Sequence, residues 1–237
     1  MGKLFLDSAN LSVIQRMMGL DCIAGVTTNP SLMAKEEKGN YLDRLREIAD
    51  LVSSSGTRSP RHLSVEVITL DPSEMLVQAD QIRNVLMPFE KHLDLYIKIP
   101  VTLDNLEVIS KLNNYGINVN ATACITWSQA KLAADAGAKI VSFFYNRALD
   151  GGGIPLEEMY HFQGTMDHQP VIEGVTVQSG TAIICGSIRK PIDVLLCWEA
   201  GAQFVTASEK VIQEMSEHPQ TDLAIKQFQG DIDKWLK

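Results

Sequence analysis

Residues 95–122, LYIKIPVTLDNLEVISKLNNYGINVNAT, read as strand, helix and strand in a single pass. Leu95 to Ile99 is a short β-rich apolar run, and Leu103 to Tyr115 carries apolar residues at helical spacing. Gly116 follows Tyr115 where a helix is expected to end, and Ile117 to Thr122 is a second β-rich run. A strand, a crossover helix and another strand make a parallel βα unit. The same alternation extends in both directions. Six further β-rich runs are Lys3 to Ser8, Gly25 to Asn29, Leu63 to Ile68, Lys139 to Tyr145, Thr181 to Ser187 and Gln203 to Ala207. Helical stretches lie at Tyr41 to Ser53, Pro72 to Phe89, Trp127 to Ala136 and Pro191 to Ala200. Asp71-Pro72 offers an N-cap followed by proline at the first helical position, and Ala200-Gly201 a glycine stop. Eight strands with intervening helices fit an α/β fold, a single TIM-type (β/α)8 barrel. An open doubly wound sheet is the rival, since alternation alone does not reveal closure, but no GxGxxG follows the first strand and no Walker sequence is present. Gly151-Gly152-Gly153 reads as a loop rather than a phosphate cradle.

The length of 237 residues suits one domain over 1–237. Its last part, 219–237, reads as an additional amphipathic C-terminal helix bearing Leu223, Ile225, Phe228, Ile232, Trp235 and Leu236, which would cover the barrel or pack on a neighbouring subunit. At 45% hydrophobic and 21% charged residues the chain has the composition of a globular protein. A net charge of −8 argues against nucleic acid as a partner. With no long apolar run and no signal-peptide pattern, no membrane association is expected and a cytoplasmic location is. Cys22, Cys124, Cys185 and Cys197 lack paired CxxC spacing, and three of them sit in apolar surroundings. His62, His92, His161, His168 and His218 show no ligand spacing and are read mostly as loop or helix-end residues, so no metal is expected.

Parallel barrel strands are buried on both faces, so polar residues within them or at their ends need a reason. Asp7, Asn29, Glu66, Lys98, Asn120, Thr122, Ser142 and Ser187 fall in this class, mostly at the C-terminal strand ends where such barrels place their sites. Alternation puts Asn120 with Thr122, Ser142 with Phe144, and Thr27 with Asn29 on shared faces. Lys98 is flanked by apolar neighbours; burial would favour the neutral amine that attacks a carbonyl. The competing reading is a lysine that snorkels or pairs with Asp7 or Glu66. Arg147, Ser187 and Arg189, beyond the sixth and seventh strands, form a candidate anion site, with surface salt bridging as the alternative for either arginine.

The segments FLDSA (5–9), GVTTNPS (25–31), SVEV (64–67), IKIPVT (97–102), NVNAT (118–122) and Ser187-Ile188-Arg189 together resemble the transaldolase family over nearly the whole chain, in particular the compact subgroup that includes fructose 6-phosphate aldolase. The resemblance implies that Lys98 forms an imine with a ketose phosphate, and that Asp7 exchanges the C4 hydroxyl proton during carbon–carbon cleavage. It further implies that Glu66 and Thr122 hold a water. Thr27, Asn29, Asn120 and Ser142 would position substrate hydroxyls or the imine, and Arg147, Ser187 and Arg189 would hold the phosphate. No cofactor is implied, sugar phosphates are the expected partners, and a homo-oligomer is expected. Glu66 and Phe144 stand where the aldolase subgroup has glutamine and tyrosine, which points to transfer of a dihydroxyacetone unit to an acceptor. Fructose 6-phosphate aldolase, a transaldolase for an unusual sugar and a non-catalytic sugar-phosphate-binding barrel stay open as alternatives. The chain departs from the family at Phe143, Tyr145, Asn146 and Ile188, and in an extra stretch from Glu173 to Gly180.

Overall fold

A computed structural model of the chain describes residues 2–55, 60–167, 171–172, 175–176 and 180–236. In chain order the elements are β1 (Lys3–Asp7), α1 (Leu11–Met18), β2 (Ile23–Thr27), α2 (Pro30–Met33), α3 (Tyr41–Ser54), β3 (Arg61–Glu66) and α4 (Pro72–Leu86). After a 3-10 turn at Met87–Phe89 come β4 (Leu93–Pro100), α5 (Leu103–Asn114), β5 (Val119–Cys124), α6 (Trp127–Asp135), β6 (Ile140–Phe144), α7 (Tyr145–Asp150) and α8 (Pro155–Asp167). A two-stranded antiparallel pair, β7 (Val171–Ile172) and β8 (Val175–Thr176), precedes β9 (Ala182–Gly186), α9 (Pro191–Glu199), β10 (Phe204–Ala207), α10 (Glu209–Glu214) and α11 (Pro219–Trp235).

The parallel strands close into a barrel in the order β1-β10-β9-β6-β5-β4-β3-β2. The expected eight-stranded barrel is therefore the fold, and the open sheet is set aside. Closure is made by the pairing of β1 with β10, and it buries both faces of the strands. One face of each strand, represented by Leu6, Val65, Ile97, Ile99, Val141 and Val205, joins the large core between barrel and helices. Each such fully buried side chain contributes about 1.5–3 kcal/mol. The opposite face points into the barrel, where Phe5, Ile140 and Ile184 pack with Tyr96 and Phe204. Helix termini match local chemistry: Asn10, Asn40, Thr102 and Thr126 accept backbone N–H bonds at the starts of α1, α3, α5 and α6. Gly116 and Gly201 take positive φ after α5 and α9, as glycine at a helix stop does.

The differences from the sequence reading are local. The sixth strand ends at Phe144, and Tyr145 opens α7 instead of extending the strand. Helices α1, α2, α7, α8 and α10 were not anticipated; α2, α7 and α10 have too few turns to show a 3.6-residue period. His62 is no loop residue: it lies within β3, buried inside the barrel. Cys124, Cys185 and Cys197 are buried and Cys22 is exposed. Of the extra stretch from Glu173 to Gly180, positions 173–174 and 177–179 lie outside the described residues, as do His168 and positions 56–59 of the polar loop. Among the described residues, no helix is long and apolar enough to cross a membrane.

Candidate functional site

The barrel interior changes character along its axis. Towards the N-terminal ends it is aromatic and aliphatic, through Phe5, Ile140, Ile184 and Phe204. Two residues further along the same strands the inward positions are Asp7, Ser142, Gly186 and Thr206, which line a cavity at the C-terminal strand ends together with Lys98. This step from apolar to polar is the period-2 alternation of each strand read in layers.

Lys98 occupies the middle of this layer on β4, only 4% exposed. Its Nζ lies 2.9 Å from Glu66 Oε2 and donates to the Thr28 carbonyl oxygen at 2.9 Å. Register explains the first contact, since Glu66 on β3 is directly opposite Lys98. The second follows from the turn that leaves β2. Asn29 caps α2 by accepting the Leu32 N–H at 3.0 Å, Pro30 fills the first helical position, and the chain bend presents the Thr28 carbonyl to the barrel. GVTTNPS is thus a strand end, a lysine acceptor and a helix cap in succession. Lys98 thus pairs with Glu66 across the two strands.

Asp7 ends β1. Although the residue as a whole is only partly buried, desolvation of its carboxyl pushes the pKa above the ordinary carboxylate range. The lowering influence of Lys98, and that of the Thr27 hydroxyl donated to Asp7 Oδ1 at 2.7 Å, oppose this without cancelling it. Because the Thr27 hydrogen goes to Asp7, the Thr206 hydroxyl 2.6 Å away donates to Thr27. Opposite them, the Ser142 hydroxyl donates to Asn120 Oδ1 at 2.7 Å, and Asn120 Nδ2 donates to Ser64 Oγ at 3.0 Å.

The cavity brings together Asp7, Thr27, Asn29, Lys98, Ser142, Phe144, Arg147 and Ser187. Glu66 and Asn120 stand behind it, in contact with Lys98 and Ser142 respectively. Thr122 is buried next to Pro100, and its hydroxyl has no hydrogen-bond partner among the described residues. It adjoins Ala123, whose φ of 60° and the pairing irregularity in β5 mark a bulge. At the other wall, Arg147 on α7 lies with its guanidinium carbon 5.1 Å from the centroid of the Phe144 ring, a cation–π contact. Ser187 holds a φ of 59°, a strained conformation for a residue with a side chain. Asn146 Nδ2 fixes it by donating to the Ser187 carbonyl at 2.9 Å and to Asp193 Oδ2 at 2.8 Å. Asp193 Oδ2 in turn accepts the backbone N–H groups of Arg189 and Lys190, each at 3.0 Å. Arg189 itself is not part of the cavity wall; its guanidinium forms a bidentate pair with Asp150.

Thr206, Ser64 and His62 belong to the same interior and were not singled out from sequence. The signal was available, because each is a polar residue on the inward face of an apolar strand, in phase with Phe204 or Glu66. Tyr41, whose hydroxyl donates to the Glu66 carbonyl, comes from α3 and gave no such signal. A larger groove at the opposite, N-terminal end of the barrel, walled by Arg83, Met87, Glu90 and Ile117, collects none of these groups.

A parallel eight-stranded barrel with a buried lysine and a carboxylate lining a cavity at its C-terminal end has the architecture of a barrel enzyme. Residues 4–236 match the family described as "Transaldolase/Fructose-6-phosphate aldolase", and the chain belongs to that family. It is 35% identical to a "Probable transaldolase" of Desulforudis audaxviator over 99% of this chain and 98% of that one. It is 36% identical to a protein of the same description from Syntrophomonas wolfei, over 99% of both chains. A third, from Clostridium kluyveri, is 37% identical over 97% of this chain and 96% of its own. Among solved structures, one described as "Native KDPGal structure" shares the fold with a TM-score of 0.52 at 15% identity, covering 86% of this chain and 81% of that one.

Proposed function

We propose that the protein is a transaldolase that moves a dihydroxyacetone unit from a ketose phosphate to an aldose phosphate through an imine on Lys98. The observation that carries this reading is the placement of Lys98 Nζ, buried, on the cavity wall and 2.9 Å from Glu66, with Asp7 on the same wall. The amine adds to the C2 carbonyl of the ketose and water leaves, forming the imine. Asp7 accepts the C4 hydroxyl proton as the C3–C4 bond breaks, and that bond's electron pair moves into the protonated imine to give an enamine. Its raised pKa suits Asp7 to hold the proton until the first aldehyde departs. The enamine C3 then attacks the acceptor aldehyde, Asp7 returns the proton to the new alkoxide, and water releases the product from Lys98. On this reading Glu66 and the Thr122 hydroxyl, which has no partner among the described residues, hold that water, while Thr27, Asn29, Asn120 and Ser142 orient hydroxyls. The imine is the electron sink, so the reaction calls for no cofactor.

Arg147 and Ser187 form the phosphate end on this reading. Arg189 joins them if an incoming phosphate replaces the Asp150 carboxylate, an anion of like geometry. Phe144 has no hydroxyl with which to aim water at the enamine, and its ring seats Arg147. Both properties favour transfer over release. The protein also self-associates on this reading, through the exposed apolar residues of α11.

Borohydride reduction with fructose 6-phosphate, followed by peptide mass analysis, tests the chemistry: a stable adduct is expected on Lys98 and none in Lys98→Met. Ketose cleavage should then depend on added erythrose 4-phosphate. Rapid cleavage that ignores the acceptor would transfer the assignment to an aldolase, and ligand binding without any trapped adduct would make it a binding barrel.

A further inference from the structure

We propose that His62 is a positioning residue that fixes how Ser142 meets the substrate, acting through Ser64 and Asn120. Its consequence for turnover rests on the lysine-imine reading above. Four side chains inside the barrel form one continuous hydrogen-bonded line. His62 Nε2 is 2.7 Å from Ser64 Oγ, Asn120 Nδ2 donates to that same oxygen at 3.0 Å, and the Ser142 hydroxyl donates to Asn120 Oδ1 at 2.7 Å. All four residues are buried, and the far end, Ser142, is on the cavity wall with Lys98.

Hydroxyl chemistry gives the line a direction. A serine has one hydrogen to donate. Ser64 already accepts from Asn120, and among the described residues His62 Nε2 is the acceptor left for its own buried hydrogen, so that hydrogen goes to Nε2 and the imidazole carries its hydrogen on Nδ1. Ser142 then spends its hydrogen on Asn120 and offers lone pairs to the cavity, where it accepts from a ligand hydroxyl. With the hydrogen on Nε2 instead, two arrangements remain: Ser64 accepts from both neighbours and leaves its own buried hydrogen without an acceptor among the described residues, or the line reverses, so that Ser64 donates to Asn120, the amide turns over, and Ser142 points its hydrogen at the ligand. The tautomer of a ring in the layer below the chemistry thus biases whether the cavity presents an acceptor or a donor at Ser142.

The surroundings hold the ring in this role. It stacks on Phe5 at 4.4 Å and on Tyr96 at 4.8 Å, with interplanar angles of 12° and 24°. Gly25 leaves room beside it, since a β carbon there would lie 2.6 Å from His62 Cβ and 2.4 Å from its carbonyl oxygen. Burial lowers the imidazole pKa to about 3, so the ring keeps one acceptor nitrogen at neutral pH.

Two substitutions separate the hydrogen bond from the packing. His62→Phe keeps a stackable ring and removes Nε2, whereas His62→Gln loses the stack and retains a polar atom near the Nε2 position. The phenylalanine variant is expected to lower kcat/KM for the ketose roughly tenfold, the size of one misdirected buried hydrogen bond, while still forming the borohydride-trapped adduct. His62→Gln should recover most of that loss. The reverse ranking, or a phenylalanine variant with wild-type kinetics, overturns the proposal. In the unsubstituted protein, the 15N chemical shift of His62 should show Nε2 as the unprotonated nitrogen; a protonated Nε2 overturns the proposal without reference to activity. Failure of adduct formation in the wild-type protein would instead strike the underlying reaction, and the nitrogen spectrum would still decide the direction of the line.

Discussion

At the scale of single residues, the site places opposite demands on its two carboxylates. Glu66 is paired with Lys98 at 2.9 Å, and removing one partner of such a buried pair costs about 3–5 kcal/mol because the other is left uncompensated in the interior. Asp7 has a raised pKa, so its ionised form is disfavoured by the fold. The sign follows from linkage. Above the ordinary value of 3.8 the unfolded chain loses this proton first, so stability falls as pH rises from there through the higher native pKa, and stays lowered at neutral pH. Asp7→Asn keeps an oxygen to accept the Thr27 hydroxyl and removes the titration. It is expected to abolish turnover yet raise the thermal midpoint at pH 7, with the gain shrinking as the pH approaches 4. A melting series across that range checks it; equal midpoints for the two proteins at every pH would refute the assignment of a disfavoured charge. Lys98 and Asp7 are both legible as charges in apolar strands, whereas Thr206, a neutral hydroxyl, carries a weaker signal of the same kind. Arg189 was legible as a strand-end cation, and only the neighbouring α7 revealed Asp150 as its partner.

At the scale of elements, the site depends on how strands leave the barrel. β2 ends in a cap at Asn29, β5 bulges at Ala123, and β9 ends in the strained Ser187. The sequence marked these as polar strand ends but not as bends, since neither Ala123 nor Ser187 is a residue type that announces positive φ. The β2–β3 pairing is equally exacting, because Gly25 is opposite His62. Gly25→Ala would bring a methyl group to 2.4 Å from the His62 carbonyl oxygen, so one strand must shift. A loss of about 1–3 kcal/mol in chemical denaturation is expected, as for other overpacked interiors. An unchanged denaturation midpoint would show that the two strands are less tightly apposed than described. The short helices α2 and α7 were invisible to periodicity, yet they carry the Asn29 cap and Arg147.

At the scale of the whole molecule, α11 has no buried residue, and its Phe228 and Trp235 are 67% and 79% exposed. An amphipathic helix left bare on its apolar side is covered when copies assemble. Light scattering should therefore give a mass that is a multiple of 26.2 kDa, and Phe228→Glu with Trp235→Glu should lower it. A monomeric wild-type protein would remove self-association from the proposed function. The sequence by itself determined the α/β class and its parallel strands, because apolar runs alternating with helical stretches build βα units, whereas closure of the sheet came from the tertiary structure. It also marked Lys98, Asp7 and Glu66 as candidates, because an ionisable group inside such a run needs a reason. Only the tertiary structure decided which groups touch. That Lys98 meets Glu66 across β3 and β4, that Arg189 turns to Asp150, and that His62 reaches Ser142 through two intermediaries are consequences of strand register and barrel closure. Those bring together residues as far apart in sequence as Thr27 and Thr206, 179 positions, and no local pattern encodes such distances.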